Sequence, residues 1–171
     1  PLDALADNAI GFLCSYLEAP VGTVYLLDRG DFSHVASRGR DDRAPAPLPA
    51  AALIRQTATA MSALHVRSVP DDYFHVRTSL GQARTRELLL APARVDGAAM
   101  AVIELGFFRA IRPADLAFVD RVSEMLAIAL RSARDRTALE TLLEETQRQA
   151  EELQTQQEEL RVNNEELEEQ S

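Results

Sequence analysis

Hydrophobic and polar positions alternate with different periods along this chain, and the periods predict its elements. From Asp3 to Leu17 the apolar residues Leu5, Ile10, Leu13 and Leu17 recur at helical spacing, and Pro20 closes the segment. Val21 to Leu27 is apolar throughout, as expected of a central strand covered on both faces. Arg29-Gly30-Asp31 turns the chain into a second strand, Phe32 to Ser37. Asp41 to Pro49 is polar and proline-rich and reads as a loop, Ala50 to Ala63 as a short helix, and Leu64 to Val69 as a strand. Pro70 to Arg86 is a long polar segment and is expected to be a loop. Long loops in compact domains often carry function. Leu88 to Val95 and Ala99 to Leu105 are strands joined at Asp96-Gly97, a strong hairpin signal. Pro92 inside the first of them is expected at an edge or a bulge. Pro113 suits the first turn of a helix. Leu116, Val119, Val122, Leu126, Ile128 and Leu130 continue it, and neither Gly nor Pro follows, so one helix is expected to reach the C-terminus, roughly 85 Å at about 1.5 Å per residue. Helices and hairpins in this order make an α+β domain around an antiparallel sheet.

The tail has a period of its own. Paired glutamates at 144–145, 151–152, 158–159 and 165–166 recur every seven residues, and Leu139, Thr146, Leu153, Leu160 and Leu167 keep the same step. With these five at d, the a positions are Arg136, Leu143, Ala150, Gln157 and Asn164, and the glutamate pairs fall at b and c, facing water. A sustained seven-residue step favours a left-handed supercoil, and Asn164 at a favours a parallel dimer in fixed register. Each leucine buried in such a seam contributes roughly 1.5–3 kcal/mol before ordering entropy is subtracted. Thr146, Gln157 and Asn164 weaken the seam, so the expected coil is marginal and able to shift between packings. The competing reading is a solvated charged helix that pairs with nothing.

Charge divides the chain at the same place. Residues 137–171 hold eleven acids and two arginines, a balance of −9, which equals that of the whole chain; residues 1–136 are therefore neutral. The acidity belongs to the tail, and a neutral body gives no basic face for nucleic acid. Every basic residue is arginine. The single cysteine excludes an internal disulfide framework and fits a reducing, cytoplasmic compartment. No apolar run reaches the ~20 residues needed to cross a bilayer, so no direct membrane contact is expected. The chain is expected to be part of a longer one, and an anchor upstream stays open. The division is residues 1–136 as one sensory domain and 137–171 as a helical linker continuous with the helix from about 113.

The stretch "RELLLAPARVDGAAMAVIELGFFRAIRPADLAFVDRVSEMLAIAL" resembles the second half of a GAF domain. In that family a strand of type LLLxPL, a DG turn, a strand of type GVIEL and a proline-started helix follow in this order. The tail "EELQTQQEELRVNNEELEEQS" is similar to the linker that joins GAF domains to the phosphotransfer helices of hybrid sensor histidine kinases, and "VPDDYFHVRTSLGQARTREL" resembles a loop of the same kinases' GAF domains. The resemblance implies an antiparallel sheet of about six strands with helices on one face, a parallel homodimer made by those helices, and a pocket on the other face. It implies a regulatory module whose kinase core lies beyond Ser171 in the same chain. Two alternatives stand beside it: a ligand-free dimerisation spacer, and a GAF sensor for another output such as a diguanylate cyclase, a phosphatase or a transcription activator.

No catalytic residue is assigned to this chain. It has no phospho-acceptor histidine motif and no glycine-rich ATP box; His34, His65 and His75 all lie in the body, and Ser62, Ser79 and Ser123 lack a triad context. Asp71, Asp72, His75 and Asp96 fit no metal spacing, so no metal is expected. Cys14 lies between apolar positions of the first helix and reads as a buried structural thiol. No cofactor is expected. An unidentified small molecule is left open, with Tyr25 on the central strand and Tyr73, Ser79, Arg84 and Arg86 on the long loop as candidate pocket residues. Arginines there suit a carboxylate or phosphate. The competing reading has them paired with Asp71, Asp72 or Glu87.

Overall fold

The structure is a computed structural model that describes residues 2–40, 48–69, 73, 75–78 and 81–170; for residues 48, 49, 75–78 and 81–83 it describes the backbone only. The chain divides into two compact units, Pro1–Ala133 and Arg134–Ser171.

The first unit opens with α1 (Leu2–Leu17). Its stop is Glu18, in the left-handed region at φ 55°, with the Ala19 N–H donating back to the Cys14 carbonyl at 2.9 Å. This is a Schellman closure made without glycine, and Pro20 then prevents further helix. β1 (Val21–Asp28) and β2 (Asp31–Arg38) form a hairpin over Arg29 and Gly30, both at positive φ, which is the type I′ turn that matches strand twist. α2 (Leu48–Ala60) follows, then the three-residue β3 (Leu64–Val66).

The segment expected to be a long loop holds a hairpin instead, β4 (His75–Thr78) with β5 (Gly81–Arg84), as a separate two-stranded sheet. Each of these strands carries one strongly apolar or small apolar residue, Val76 and Ala83, which are register partners. One such position per strand is too short an alternation to register as a strand pattern. β6 (Glu87–Val95) and β7 (Ala98–Phe107) make the last hairpin, over Asp96 and Gly97, again both at positive φ. α3 (Pro113–Glu169) completes the order.

The main sheet is five-stranded and antiparallel in the order β2-β1-β7-β6-β3, close to the six strands expected. β3 pairs only with Leu88, Leu89 and Leu90 of β6, so Pro92 pairs on the β7 side alone, next to a register shift between Ala93 and Arg94. A residue without an N–H is tolerated there because that edge of β6 requires no donor at this point.

Strand alternation sends side chains into two cores. On one face Val24, Leu26, Leu89, Ala91, Ala101, Ile103, Leu105 and Phe107 pack with Ile10 and Leu13 of α1 and with Val119, Leu126 and Leu130 of α3. Gly22 permits this approach: a Cβ there would lie 2.5 Å from Cys14 Sγ and 2.7 Å from Ile10 Cδ1. The expectation of helices on one face holds for α1 and α3. The opposite face is covered too, because Ala50 and Ile54 of α2 pack with Val21, Tyr25, Tyr73, Leu88, Leu90 and Val102. Asp115 secures the start of α3: it accepts the backbone N–H of Arg112 at 2.8 Å and pairs with the guanidinium groups of Arg109 and Arg112. Arg109 also donates to the Leu17 carbonyl at 2.9 Å, tying the end of α1 to the start of α3. Pro113 is the first helical residue, where its missing N–H costs nothing.

The second unit is the remainder of α3, and from Asp135 onward every described side chain is exposed within the single chain.

Candidate functional site

β1, β7 and β6 lie side by side, and their second face carries a polar group inside an apolar cluster. Thr23 and Glu104 are direct cross-strand partners, and Leu90 lies on the other side of Glu104. Glu104 is 1% exposed, in a strand that is otherwise Ala-Val-Ile before it and Leu-Gly-Phe after it. The Tyr73 hydroxyl donates to Glu104 Oε1 at 2.7 Å. Tyr25 is two residues along β1 from Thr23 on the same face, and its hydroxyl accepts from Arg40 Nη1 at 3.2 Å. His34, the register partner of Tyr25, meets that ring edge-on with centroids 5.9 Å apart.

A carboxylate in this setting is expensive. Loss of hydration pushes the Glu104 carboxyl up to about 7, against the pull of the Tyr73 hydroxyl, the Arg40 cation and Tyr25. Burial likewise pushes the Tyr25 phenol up to about 12, and the Tyr73 phenol rises further, again by burial first and by the Glu104 charge second. Both phenols thus remain protonated donors, and Glu104 exchanges a proton near neutrality.

Polar satisfaction here is incomplete. Among the described residues four buried side-chain atoms lack a hydrogen-bond partner: Thr23 Oγ1, Thr85 Oγ1, Glu104 Oε2 and Ser123 Oγ. The first three belong to this face: Thr85 lies over Gly106, two residues from Glu104 on β7, where a Cβ would meet Thr85 Cγ2 at 2.8 Å and Oγ1 at 3.3 Å. Buried polar atoms are ordinarily paired, so these three are the places on this face where hydrogen-bonding capacity is left over.

Of the residues that the sequence put forward, Tyr25 and Tyr73 are brought together around Glu104. Ser79 lies outside the described residues. Arg84 ends β5 and is exposed; Arg86 is exposed and uses its backbone N–H on the Phe107 carbonyl at 2.8 Å. Glu87, the partner considered for these arginines, accepts from the Ile111 N–H at 2.7 Å and meets His65 Nε2 at 2.8 Å, contacts that together with the Arg86 charge hold its carboxyl below the usual range. Asp71 and Asp72 lie outside the described residues, and Asp96 pairs with Arg131. Glu104, Thr23, Arg40 and Thr85 were not singled out from the sequence. The one available signal was an acid in the middle of an apolar strand.

Cys14 faces Gly22 and Ile10 on the opposite side of the sheet; it is half-buried rather than buried as expected, and desolvation pushes its thiol up to about 11. In the second unit Leu139, Leu143, Leu153, Leu160 and Leu167 are each at least 60% exposed, Ala150, Gln157 and Asn164 are exposed, and the Thr146 hydroxyl donates to the Leu142 carbonyl at 2.8 Å. The first unit has an exposed aromatic stack: the Tyr16 ring lies 4.4 Å from Phe118 and 5.7 Å from Phe12, and Met125 is 70% exposed.

The sequence profile of the GAF domain matches residues 1–130. Among solved structures, the chain is similar to the GAF domain of a phosphoenolpyruvate-protein phosphotransferase from Coxiella burnetii, at 16% identity and a TM-score of 0.63, covering 81% of this chain and 87% of that one. It is similar to the GAF domain of a putative sensor histidine kinase from Pseudomonas syringae pv. tomato, at 17% identity and a TM-score of 0.56 over 82% of each chain. It is also similar to a type II free methionine-R-sulfoxide reductase from Thermoplasma acidophilum, at 16% identity and a TM-score of 0.56, covering 77% of this chain and 96% of that one. A comparison with curated protein sequences found no match.

Proposed function

The chain belongs to the GAF domain family, and from that premise we propose that it is the sensory module of a two-component sensor histidine kinase. In this reading two copies pair in parallel through α1 and α3, and the tail carries the resulting helix packing to a kinase core encoded beyond Ser171. The observation that carries it is a shared phase. Counted back in sevens from Leu139, the d positions fall on Ser132, Met125 and Phe118; counted back from Leu143, the a positions fall on Arg136, Ala129 and Val122. Met125 is exposed, Phe118 is stacked on exposed Tyr16, and the tail leucines are exposed, so the sequence frame of the tail leucines, counted back, also takes in these two apolar residues of α3. A second copy of this chain, in the same register, is the partner that such a frame fits. The tail's resemblance to histidine kinase linkers and the fold shared with the Pseudomonas GAF domain support the kinase as output.

The three orphan polar atoms around Glu104 favour a ligand-responsive module over a ligand-free spacer. A reductase reading, raised by the fold shared with the Thermoplasma enzyme, has less support. The lone cysteine lies on the face opposite Glu104 and is held protonated by burial, whereas thiol chemistry needs a thiolate.

The test is a fusion of this chain to the phosphotransfer and ATP-binding domains of a histidine kinase. Removing Glu151–Gln157, one heptad, preserves the seam and is expected to leave autophosphorylation regulated. Removing Glu151–Gln154, about half a heptad, rotates the seam and is expected to lock output high or low. Output indifferent to both deletions rejects the relay.

A further inference from the structure

We propose that Glu104 is the trigger of a proton-operated switch: while ionised it holds the Arg40 guanidinium against the second face of the sheet, and on taking up a proton at Oε2 it lets that cation return to water. This deepens the sensory reading above by naming a stimulus, the proton. It rests on that reading only for its biological meaning, since every group involved belongs to the first unit.

Geometry supplies the parts. Glu104 lies on the central strand of the main sheet and is 1% exposed. A charge removed from water to this extent persists only where neighbours compensate it. One oxygen is compensated directly, because Oε1 accepts from the Tyr73 hydroxyl at 2.7 Å. Oε2 has no hydrogen-bond partner among the described residues, so it is the oxygen open to a proton. A proton needs no cavity, only that lone pair. The other compensation comes from Arg40, where the chain leaves β2 for α2. Arg40 is half-buried, its Nη1 donates to the Tyr25 hydroxyl at 3.2 Å, and its charge acts on Glu104 as well. Gly39, just before it, lies so close to the Pro20 carbonyl that a Cβ would sit 1.9 Å from the oxygen. The backbone presenting Arg40 is therefore tightly packed, and the side chain is the part that can move.

The charged and titratable groups that face Glu104, among the described residues, come from three places. Tyr25 approaches from β1, with Arg40 on its hydroxyl and His34 of β2 against its ring; Tyr73 approaches from between β3 and β4. β6 and α2 pack apolar side chains on this face, Leu90 and Ile54 among them. Burial keeps both phenols protonated, whereas it places the Glu104 carboxyl at about 7, so Glu104 changes charge near neutrality. His34 is the rival trigger, since histidines ordinarily titrate in the same range. Above the midpoint the carboxylate attracts the guanidinium and offsets its lost hydration; below it that attraction is gone and water solvates the cation better. The coupling is reciprocal: an inward Arg40 must lower the proton affinity of Glu104 by the same factor.

The experiment is a pH titration of the purified chain by NMR, following the Glu104 side-chain carboxyl carbon and the Arg40 Nε–H. Both are expected to move with one shared midpoint at about 7. Protection of the Arg40 Nε–H from exchange, measured relative to exposed Arg29, is expected to fall several-fold on the acid side. Glu104→Gln, neutral at every pH, is expected to abolish the Arg40 transition and leave Arg40 in its acid-side state. Arg40→Gln is expected to raise the Glu104 midpoint by about one pH unit, and serves if the first variant folds poorly. His34→Gln is expected to leave both transitions in place. The switch is overturned by an Arg40 signal that does not follow Glu104, by an Arg40 transition that survives Glu104→Gln or vanishes with His34→Gln, or by a Glu104 midpoint unmoved in Arg40→Gln. Sedimentation of the same samples reports the dimer separately. A missing Arg40 transition with the dimer intact rejects the switch alone, and a monomer with the transition intact supports the switch while rejecting the paired relay.

Discussion

Substituting Glu104 with Gln should change how stability depends on pH more than it changes stability at any one pH. In the unfolded chain a glutamate titrates at 4.5, whereas in the folded chain burial holds Glu104 at about 7. Between these values the folded state keeps a proton that the unfolded state has lost. The group therefore supports folding fully below 4.5, its contribution falls as pH rises, and the loss is complete above about 7. A separation of two to three units is about 3 kcal/mol in total, of which about 2 kcal/mol falls between about pH 5.5 and about pH 8. Glu104→Gln cannot ionise and lacks this component. It keeps an acceptor for the Tyr73 hydroxyl but introduces an unpaired amide N–H, which costs about 1–3 kcal/mol at every pH. The assay is urea unfolding of both proteins at several pH values and one fixed protein concentration. The variant should lie below the parent at pH 5.5 and gain about 2 kcal/mol on it by pH 8. Taking the difference between the two proteins cancels the opposite, acid-side contributions of Asp7, Glu87 and Asp115, whose carboxyls are held low by their partners. Parallel stability curves for the two proteins would refute the argument, because they would mean that Glu104 titrates as it does in water.

On the proposed pairing of two copies through α3, Met125→Glu should shift the chain toward monomer in sedimentation while leaving its circular dichroism unchanged, because this side chain is 70% exposed in the single chain. Asp115→Ala removes the carboxylate that binds Arg109, Arg112 and the Arg112 N–H, and should cost about 2–4 kcal/mol in urea unfolding. In the parent, the stability that Asp115 contributes is present above the unfolded value of 3.8 and is lost as pH falls below it, so the variant should show a shallower acid limb. Half-buried Cys14 should react slowly with a disulfide reagent at neutral pH and faster as pH rises toward 11, since desolvation lifts its thiol to about 11; prompt reaction at neutral pH would contradict its placement. Gly39→Ala should destabilise by more than about 3 kcal/mol, because its φ is +68° and the new Cβ would lie 1.9 Å from the Pro20 carbonyl oxygen.

Local interactions fixed much that could be read from the chain alone. Helical spacing marked α1, Arg29-Gly30 and Asp96-Gly97 marked two type I′ hairpins, Pro113 marked the start of α3, and seven-residue spacing marked the tail; each signal lies within a few turns of chain. The β4–β5 hairpin escaped because Val76 and Ala83 alone carry its apolar alternation, and the covering of the second sheet face by α2 escaped because helix periodicity says which side of a helix is buried and not against what. The candidate site was only half legible. Tyr25 and Tyr73 stood out as aromatic residues near a strand and a polar segment, but the group that unites them is Glu104, whose bond to Tyr73 closes over 31 residues. Sequence by itself determined that residue 104 is an acid in an apolar strand. Only the tertiary structure decided that this acid is buried, opposite Thr23 and beneath Tyr73, because the cost of removing a carboxylate from water depends on what the rest of the chain packs around it.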